Sequence, residues 1–143
     1  MWGNKRLTPM LNLLQSEMTT FILDWRRSKM NTIEGKVWGT TEPLLQSPAI
    51  EIHRIRVNLG GYCSQHKHQS KINAFYVIKG ELEIQRWKDY GLCDSTHLFA
   101  GNMSVVPAGE MHKFIAHQET EALEIYWAEL NHNDIQRENV GGI

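Results

Sequence analysis

The sequence predicts an all-β domain, a closed barrel or sandwich, preceded by one amphipathic helix. Before about position 31, apolar residues recur at three- and four-residue steps, which is the period of a helix with one apolar side. After Gly35 the chain changes to short β-rich runs separated by turns. Because these runs follow one another at regular spacing with no helix between them, they favour a closed antiparallel architecture over a parallel α/β sheet. We therefore divide the chain into a helical extension, residues 1–34, and a barrel domain, residues 35–143.

The predicted helix covers residues 9–29. Thr8 supplies an N-cap and Pro9 a first-turn proline, and the cations near position 29 suit the C-terminal end of the helix dipole. Its apolar stripe must be covered, so we expect it to pack on the barrel or on a second subunit. Met30 offers an alternative start that would leave this helix outside the protein. The stripe consists of Leu11, Leu14, Met18, Phe21, Ile22 and Trp25.

About eight short strands are expected in the barrel domain. Alternation is clearest in the first run, where Ile55 and Val57 share one face and Arg54 and Arg56 share the other. In the last run, Leu123, Ile125 and Trp127 alternate against Glu124, Tyr126 and Ala128. The predicted strands with the clearest limits are 51–59, 72–78, 81–87, 96–100, 103–106, 112–116 and 122–130.

Composition and charge exclude several classes of protein. The 143 residues suffice for one domain with a buried core, and a net charge of −1 gives no basic field for nucleic acid or an anionic membrane. The two cysteines, Cys63 and Cys93, are too few for a disulfide framework. The longest purely apolar run near the N-terminus is Phe21-Ile22-Leu23, far short of a signal-peptide core or a membrane span. We expect a cytoplasmic protein that binds neither nucleic acid nor membranes.

Histidines are the chemistry-bearing residues of the barrel. His66 and His68 are two residues apart, so in an extended strand their imidazoles point to the same side. Asn73 follows across a short turn, and His112 follows a Pro/Gly turn that can return a strand over the same spot. Three neutral imidazoles suit one divalent ion (Zn, Mn, Fe, Ni or Co) and leave coordination positions open for water or substrate. We therefore predict a metal site made of His66, His68, Asn73 and His112.

Two roles are open for Asn73. Its amide oxygen can complete the ligand set, or the amide can hydrogen-bond one of the histidines without touching the ion. In both roles it adds no charge, so a bound ion keeps its double charge and favours anionic ligands. Phe75 and Phe114 are expected to pack around the site, whereas Cys63 is out of phase with the histidine pair and is not counted as a ligand.

The two histidine motifs together resemble those of the cupin superfamily. The motifs of that family read G-x5-H-x-H-x3/4-E-x6-G and G-x5-P-x-G-x2-H-x3-N, and the resemblance covers roughly residues 38–130. It implies a cupin-type double-stranded β-helix, or jelly-roll, barrel. Two positions depart, since Asn73 stands in place of the glutamate ligand and Ala116 in place of the terminal asparagine. The matching positions are Gly60, His66, His68, Gly80, Gly101, Pro107, Gly109 and His112.

The order of features is also similar to the C-terminal cupin domain of type II mannose-6-phosphate isomerases, which is often fused to mannose-1-phosphate guanylyltransferase. This resemblance implies a pocket for a small sugar or sugar phosphate over the metal. The R-x-E-H of those domains is Lys71-Ile72-Asn73-Ala74 here, which removes two candidate proton carriers for aldose–ketose isomerisation. The segments that carry the resemblance are Trp38-Gly39, 53–60, 66–68, 106–112 and 133–137.

Three functions are open on the sequence alone. The barrel is an isomerase-like metal enzyme for a small polar substrate, a three-histidine Fe(II) dioxygenase, or a non-catalytic module that binds a small molecule. Lys71, Tyr76 and Arg54 are the catalytic candidates, and an arginine that faces inward would match a phosphate or carboxylate group. A homodimer is expected, because small barrels of this type commonly pair by sheet edges.

Overall fold

The structure, a computed structural model, describes residues 32–91 and 93–128. These residues form nine β-strands and no α-helix, which confirms the all-β prediction. The helix predicted over residues 9–29 lies outside the described residues. Within the described ranges, no helix has the length and apolar character needed to cross a membrane. The strands are β1 (Glu34–Lys36), β2 (Gly39–Gln46), β3 (Ile50–Val57), β4 (Ile72–Lys79), β5 (Glu81–Trp87), β6 (Cys93–Phe99), β7 (Met103–Val106), β8 (Met111–Ala116) and β9 (Thr120–Trp127).

The strands form two antiparallel sheets that make a jelly-roll barrel. The larger sheet has the order β1-β2-β3-β9-β4-β7, and the smaller sheet has the order β6-β5-β8. The segment between β3 and β4 lies along β8, with backbone bridges from Tyr62 to Ile115 and from His66 to His112. This segment carries the first two histidines of the motif to the side of the third, although it is not itself a regular strand.

The core lies between the two sheets. Ile55 and Val57 of β3 are buried, as their alternation predicts. Phe75 of β4 and Phe114 of β8 are also buried, with their ring centroids 5.9 Å apart, which confirms that they pack the interior. The strand predicted over 51–59 ends two residues earlier, because the chain turns after Val57 and leaves Leu59 66% exposed.

In the last strand, β9, the face that contains Glu124 and Tyr126 points toward the core. Residues that are direct partners in an antiparallel sheet share a face, and the pairs here include Ile55 with Ala122 and His53 with Glu124. Since Ile55 points inward, Ala122 and Glu124 point inward as well. The alternation read from the sequence is therefore present, and its larger apolar side chains, Leu123, Ile125 and Trp127, lie on the outer face.

The first two strands, β1 and β2, form an edge hairpin that the sequence pattern did not single out. Trp38, in the turn of this hairpin, packs edge-on against Phe114 at a centroid distance of 5.1 Å. The hairpin therefore packs on the same aromatic core as β4 and β8, and it supplies one wall of a cavity beside His68.

Candidate metal centre

The structure brings the three predicted histidines together. One ring nitrogen from each of His66, His68 and His112 lies within 4.8 Å of the others. The ring centroids are 4.6 to 5.5 Å apart. The backbones of His66 and His112 exchange two hydrogen bonds, N to O, at 3.0 and 2.8 Å. This reciprocal pairing fixes the distance between β8 and residues 58–71, the segment between β3 and β4, which we call the motif loop.

Backbone carbonyls set the tautomer of two of these rings. Nδ1 of His66 lies 2.7 Å from the carbonyl oxygen of Ser64, and Nδ1 of His112 lies 3.0 Å from that of Glu110. A carbonyl oxygen only accepts hydrogen bonds, so each Nδ1 carries the proton and donates it. The lone pair of each ring is therefore on Nε2, which is how histidines are held ready for a metal ion.

The third ring, that of His68, has a buried Nε2 atom without a hydrogen-bond partner. Burial, together with the charges of His66 and His112, lowers the pKa of His68 to about 4. Burial also lowers the pKa of His112. These shifts keep both rings neutral near physiological pH, and a neutral imidazole is the form that coordinates a cation.

Asn73, on β4, lies directly beside the histidines. It is 1% exposed, and its Nδ2 is 3.2 Å from Nε2 of His112. Because that Nε2 carries a lone pair, the amide donates to it, and Oδ1 of Asn73 is left buried without a partner. This hydrogen bond is one of the two roles considered above. Rotation about Cβ–Cγ would turn the amide oxygen toward the same point and give the other.

Glu124 is a polar residue of the site that the sequence reasoning missed. Its Oε1 accepts a hydrogen bond from the hydroxyl of Tyr126 at 2.6 Å and one from Nδ2 of Asn73 at 3.5 Å. Burial raises the pKa of this carboxyl group above its ordinary value, although both hydrogen bonds oppose the rise. Its inward orientation follows from the pairing of β9 with β3, in which Glu124 is opposite His53, and no spacing in the sequence marks it.

A cavity of about 310 Å³ opens beside His68. Its walls come from the edge hairpin, β3, β9 and the motif loop, and they carry charges of both signs. Lys71 lies on this wall, with Nζ 3.5 Å from Oε1 of Glu51 and 5.2 Å from the ring centre of Tyr126. The lining residues are Glu34, Lys36, Trp38, Thr41, Pro43, Gln46, Glu51, His53, His68, Lys71, Glu124 and Tyr126.

Of the three catalytic candidates, only Lys71 lines this cavity. Tyr76 alternates with the buried Phe75 along β4 and is 37% exposed on the outer face. Arg54 alternates with the buried Ile55, and its guanidinium is held by carboxylates at 3.3 and 3.5 Å, those of Glu121 and Glu42. The strand period therefore directs Tyr76 and Arg54 away from the histidines.

Cys63 belongs to the core and not to the histidine group. It is 7% exposed, and its Sγ accepts a hydrogen bond from the backbone N–H of Phe114 at 3.2 Å. This placement agrees with its being out of phase with the histidine pair.

The chemistry of the donor set fits a metal ion. Two buried polar atoms, Nε2 of His68 and Oδ1 of Asn73, have no hydrogen-bond partner, and leaving such atoms unpaired costs free energy. A cation held by the three imidazoles would satisfy the first atom directly and the second after rotation of the amide. Three nitrogen donors from a rigid barrel also match the ligand number of a metal site with open positions.

Comparison with known proteins agrees with this architecture. The sequence pattern of the cupin domain matches residues 53–129, whereas no curated protein matches the sequence significantly. KdgF from Halomonas sp. is 15% identical, with a TM-score of 0.61 over 73% of this chain and 92% of that one. A RmlC-like cupin from Shewanella frigidimarina is 18% identical, with a TM-score of 0.59 over 75% of this chain and 90% of that one.

A longer protein shares the same fold. A Bacillus subtilis oxalate decarboxylase variant is 16% identical to this chain, with a TM-score of 0.62. The alignment covers 68% of this chain but only 27% of the decarboxylase. At these identities the structural likeness shows the fold alone. Because the cupin pattern spans more than half of the sequence and the strands form the matching barrel, the chain belongs to the cupin domain family.

Proposed function

We propose that this cupin barrel binds one divalent metal ion through Nε2 of His66, His68 and His112. The observation that carries the proposal is the orientation and burial of these three nitrogen atoms. Two are turned toward one point by Nδ1–H bonds to backbone carbonyls, and the third is buried without a partner. Asn73 is the fourth residue of the proposed site, where its amide oxygen is within a single side-chain rotation of the ion.

The proposed ligand is a small polar molecule, such as a sugar or sugar phosphate, bound in the cavity beside His68. A volume of about 310 Å³ lies at the lower end of small-molecule pockets. Neutral protein ligands leave a bound ion with its full charge, which favours an oxygen-rich, anionic ligand. Lys71 and Lys36 on the wall supply cations for a phosphate or carboxylate group at the far end of that ligand.

The reaction that best suits these residues is a proton transfer of the isomerase type. A bound metal ion would supply Lewis-acid polarisation of a substrate carbonyl. Glu124 lies on the cavity wall, and its raised pKa suits a group that must both take and return a proton. Tyr126 holds the carboxylate in place through its hydroxyl at 2.6 Å. Glu124 thus supplies the proton carrier that the family pattern loses at Asn73.

Metal binding is tested by titrating the protein with Zn²⁺ while observing the imidazole ¹⁵N signals by NMR. We expect the signals of His66, His68 and His112 to shift together and to saturate at one ion for the trio. His68→Gln should weaken this binding at least tenfold. The matched control is His117→Gln, which removes a ring from the outer face of the smaller sheet and should leave the trio's response unchanged. If the imidazole ¹⁵N signals of the three histidines do not change when zinc is added, the metal proposal is refuted.

Turnover is tested on the metal-loaded protein with a hexose phosphate as the substrate probe. Aldose–ketose conversion that is lost in Glu124→Gln, while the zinc affinity is retained, supports the isomerase-like assignment. Oxygen consumption by the Fe(II)-loaded protein would instead favour the dioxygenase alternative. Saturable binding of the sugar phosphate without either reaction would identify a binding module.

A further inference from the structure

A second cluster of ionisable side chains lies on the outer face of the smaller sheet. Glu81 and Glu83 are on β5, His97 is on β6, and His117 follows the end of β8. The two glutamates alternate with the fully buried Leu82, so they point away from the barrel interior. One ligand atom from each of Glu83, His97 and His117 lies within 4.8 Å of the others.

The carboxylate of Glu83 is oriented so that one of its oxygens lies near both histidines. Its Oε1 accepts hydrogen bonds from Oγ of Ser95 at 2.6 Å and from Nε2 of Gln85 at 2.8 Å. Its Oε2 lies 2.6 Å from Nε2 of His117 and 4.0 Å from Nε2 of His97. Burial alone would raise the pKa of Glu83, but the hydrogen bonds from Ser95, His117 and Gln85 outweigh it and lower the pKa to about 2. The carboxylate is therefore ionised at physiological pH.

Glu81 orients one of the two rings. Its Oε1 lies 2.8 Å from Nδ1 of His97, so the carboxylate accepts the Nδ1–H and the lone pair of His97 is on Nε2. A carboxylate behind a histidine in this way fixes the tautomer and raises the basicity of a metal ligand. The rings of His97 and His117 are stacked, with centroids 5.1 Å apart and planes at 27°. The Nε2 atoms of both rings face the same oxygen atom, Oε2 of Glu83.

We propose that Glu83, His97 and His117 form a second divalent-cation site, distinct from the barrel site, and that its two imidazoles and one carboxylate suit Zn²⁺. Tetrahedral bonds of about 2.0 Å place ligand atoms roughly 3.3 Å apart. The present separations of 2.6 and 4.0 Å from Oε2 of Glu83 lie on either side of that value. The histidine side chains are 46% and 41% exposed, so small ring rotations produce the required geometry.

Binding at this site requires His117 to change tautomer. Its Nε2–H now donates to Oε2 of Glu83, so the proton must move to Nδ1 before Nε2 can coordinate a cation. The three ligands come from β5, from β6 and from the turn that leads into β9. Because β6 is an edge of the smaller sheet, a cation held there would fasten an edge strand to its neighbours and stabilise the folded barrel.

The site is tested in a His66→Gln/His68→Gln background, which lacks two of the barrel donors. Calorimetric titration with Zn²⁺ should show one ion per chain and a concentration-dependent rise in Tm. Adding His97→Gln or His117→Gln to this background should weaken the zinc affinity at least tenfold. Glu81→Ala, which removes only the group behind His97, should have a smaller effect, with the stoichiometry retained.

Two outcomes would overturn the second site. One is a His97→Gln derivative that binds zinc as well as its parent, and the other is a folded parent, judged by circular dichroism, that binds none. If the background does not fold, the imidazole ¹⁵N signals of His97 and His117 in the wild-type protein decide, because unchanged signals on adding zinc refute the proposal. Since His97→Gln alone should keep the barrel ion and His68→Gln alone should keep the outer ion, the failure of one site is distinguishable from the failure of the other.

Discussion

The guanidinium group of Arg86 binds the carboxylate of Glu110 through two hydrogen bonds, from Nε to Oε1 at 2.8 Å and from Nη2 to Oε2 at 3.2 Å. The backbone carbonyl of the same glutamate accepts the Nδ1–H of His112 at 3.0 Å. This ion pair therefore anchors the residue whose carbonyl orients a proposed metal ligand, and it links the stability of the smaller sheet to the geometry of the site.

Loss of this pair should affect both stability and metal binding. We expect Arg86→Leu to lower the free energy of unfolding by about 1–3 kcal/mol, because it leaves a largely buried carboxylate without its charged donor. Zinc affinity at the histidine trio should fall about tenfold, as is usual when the support of a metal ligand is removed. Urea denaturation and zinc titration measure the two effects.

The matched control is Arg56→Leu. Arg56 pairs with Glu121 at 3.8 Å on the outer face of the larger sheet, where the two side chains are 48% and 31% exposed, and exposed pairs contribute about 0–1 kcal/mol. Equal losses of stability and of zinc affinity in the two variants would contradict the role given to Arg86.

Asn73→Asp should make the stability of the barrel depend on metal. The new carboxylate lies in the place of Nδ2 or Oδ1, close to the carboxylate of Glu124, which is 3.5 Å from the present amide nitrogen. Two buried like charges destabilise the metal-free protein, whereas a bound cation gains an anionic ligand. We therefore expect a lower Tm than wild type without zinc, a higher Tm with zinc, and zinc affinity at least tenfold tighter.

Thermal denaturation with and without zinc tests this prediction. Asn58→Asp is the control, because it adds the same charge at an exposed turn position. If zinc raises the Tm of Asn73→Asp no more than that of the control, the side chain at position 73 is too far from the ion to coordinate it.

The sequence predicted the parts of the site that depend on local spacing. His66 and His68 are two residues apart, so short-range geometry sufficed for that pair. His112 meets His66 through a backbone bridge across 46 residues, and it was expected there from the Pro/Gly turn before it and from the resemblance to the second motif. Glu124 could not be found in that way, because the face that β9 buries is decided by its pairing with β3 across more than 60 residues of chain. The hydrophobic signal on β9 is also misleading, since the larger apolar residues lie on the outer face.

The outer cluster was missed for the same physical reason. Glu83, His97 and His117 come from three different elements, and no spacing in the sequence relates them. Their juxtaposition follows only from the antiparallel register of the smaller sheet, in which Glu83 is the direct partner of both His97 and Ile115. Register between strands that are distant in sequence depends on the packed core, and pattern reading does not reach it.

Gly80 should be the motif glycine least tolerant of a side chain. Its φ is 94°, and an added Cβ would lie 2.4 Å from the carbonyl oxygen of Glu119 and 2.6 Å from Oγ1 of Thr120. We expect Gly80→Ala to lower the free energy of unfolding by about 2–4 kcal/mol, from backbone strain and the clash together. The control is Gly101→Ala, where φ is 85° but nothing lies within 4 Å, so only about 1 kcal/mol is expected. Urea denaturation curves that shift equally would contradict the role of the clash.

The two cysteines should differ sharply in reactivity. Burial raises the pKa of Cys63 to about 11, so at pH 8 almost none of its thiol is ionised in the folded protein, whereas Cys93 is exposed. A disulfide reagent should therefore label one thiol per folded chain at pH 8 and two after unfolding. Rapid labelling of two thiols in the native protein would show that Cys63 is accessible.

The same shift predicts a loss of stability in alkaline solution. The unfolded thiol releases its proton near pH 9, while the folded one retains it until about pH 11, so stability contributed by the neutral thiol is lost as the pH rises through this window. The loss approaches about 2–3 kcal/mol at 1.36 kcal/mol per pKa unit. Cys63→Ala should make the slope between pH 9 and 11 shallower, while the part that comes from Tyr126, whose pKa burial also raises, should remain. A slope equal to that of the wild type would contradict the role given to Cys63.

We expect the protein to be a homodimer that pairs through the β7 edge of the larger sheet. Tyr76 and Met103 are direct partners whose apolar side chains are both exposed, and Val105 of the edge strand is 40% exposed on the same face. Exposed apolar patches beside an open strand edge favour association. Sedimentation velocity should give a dimer for the wild type and a monomer for Val105→Glu. Val37→Glu, at the exposed tip of the edge hairpin, should remain dimeric. A wild-type protein that sediments as a monomer would contradict the prediction.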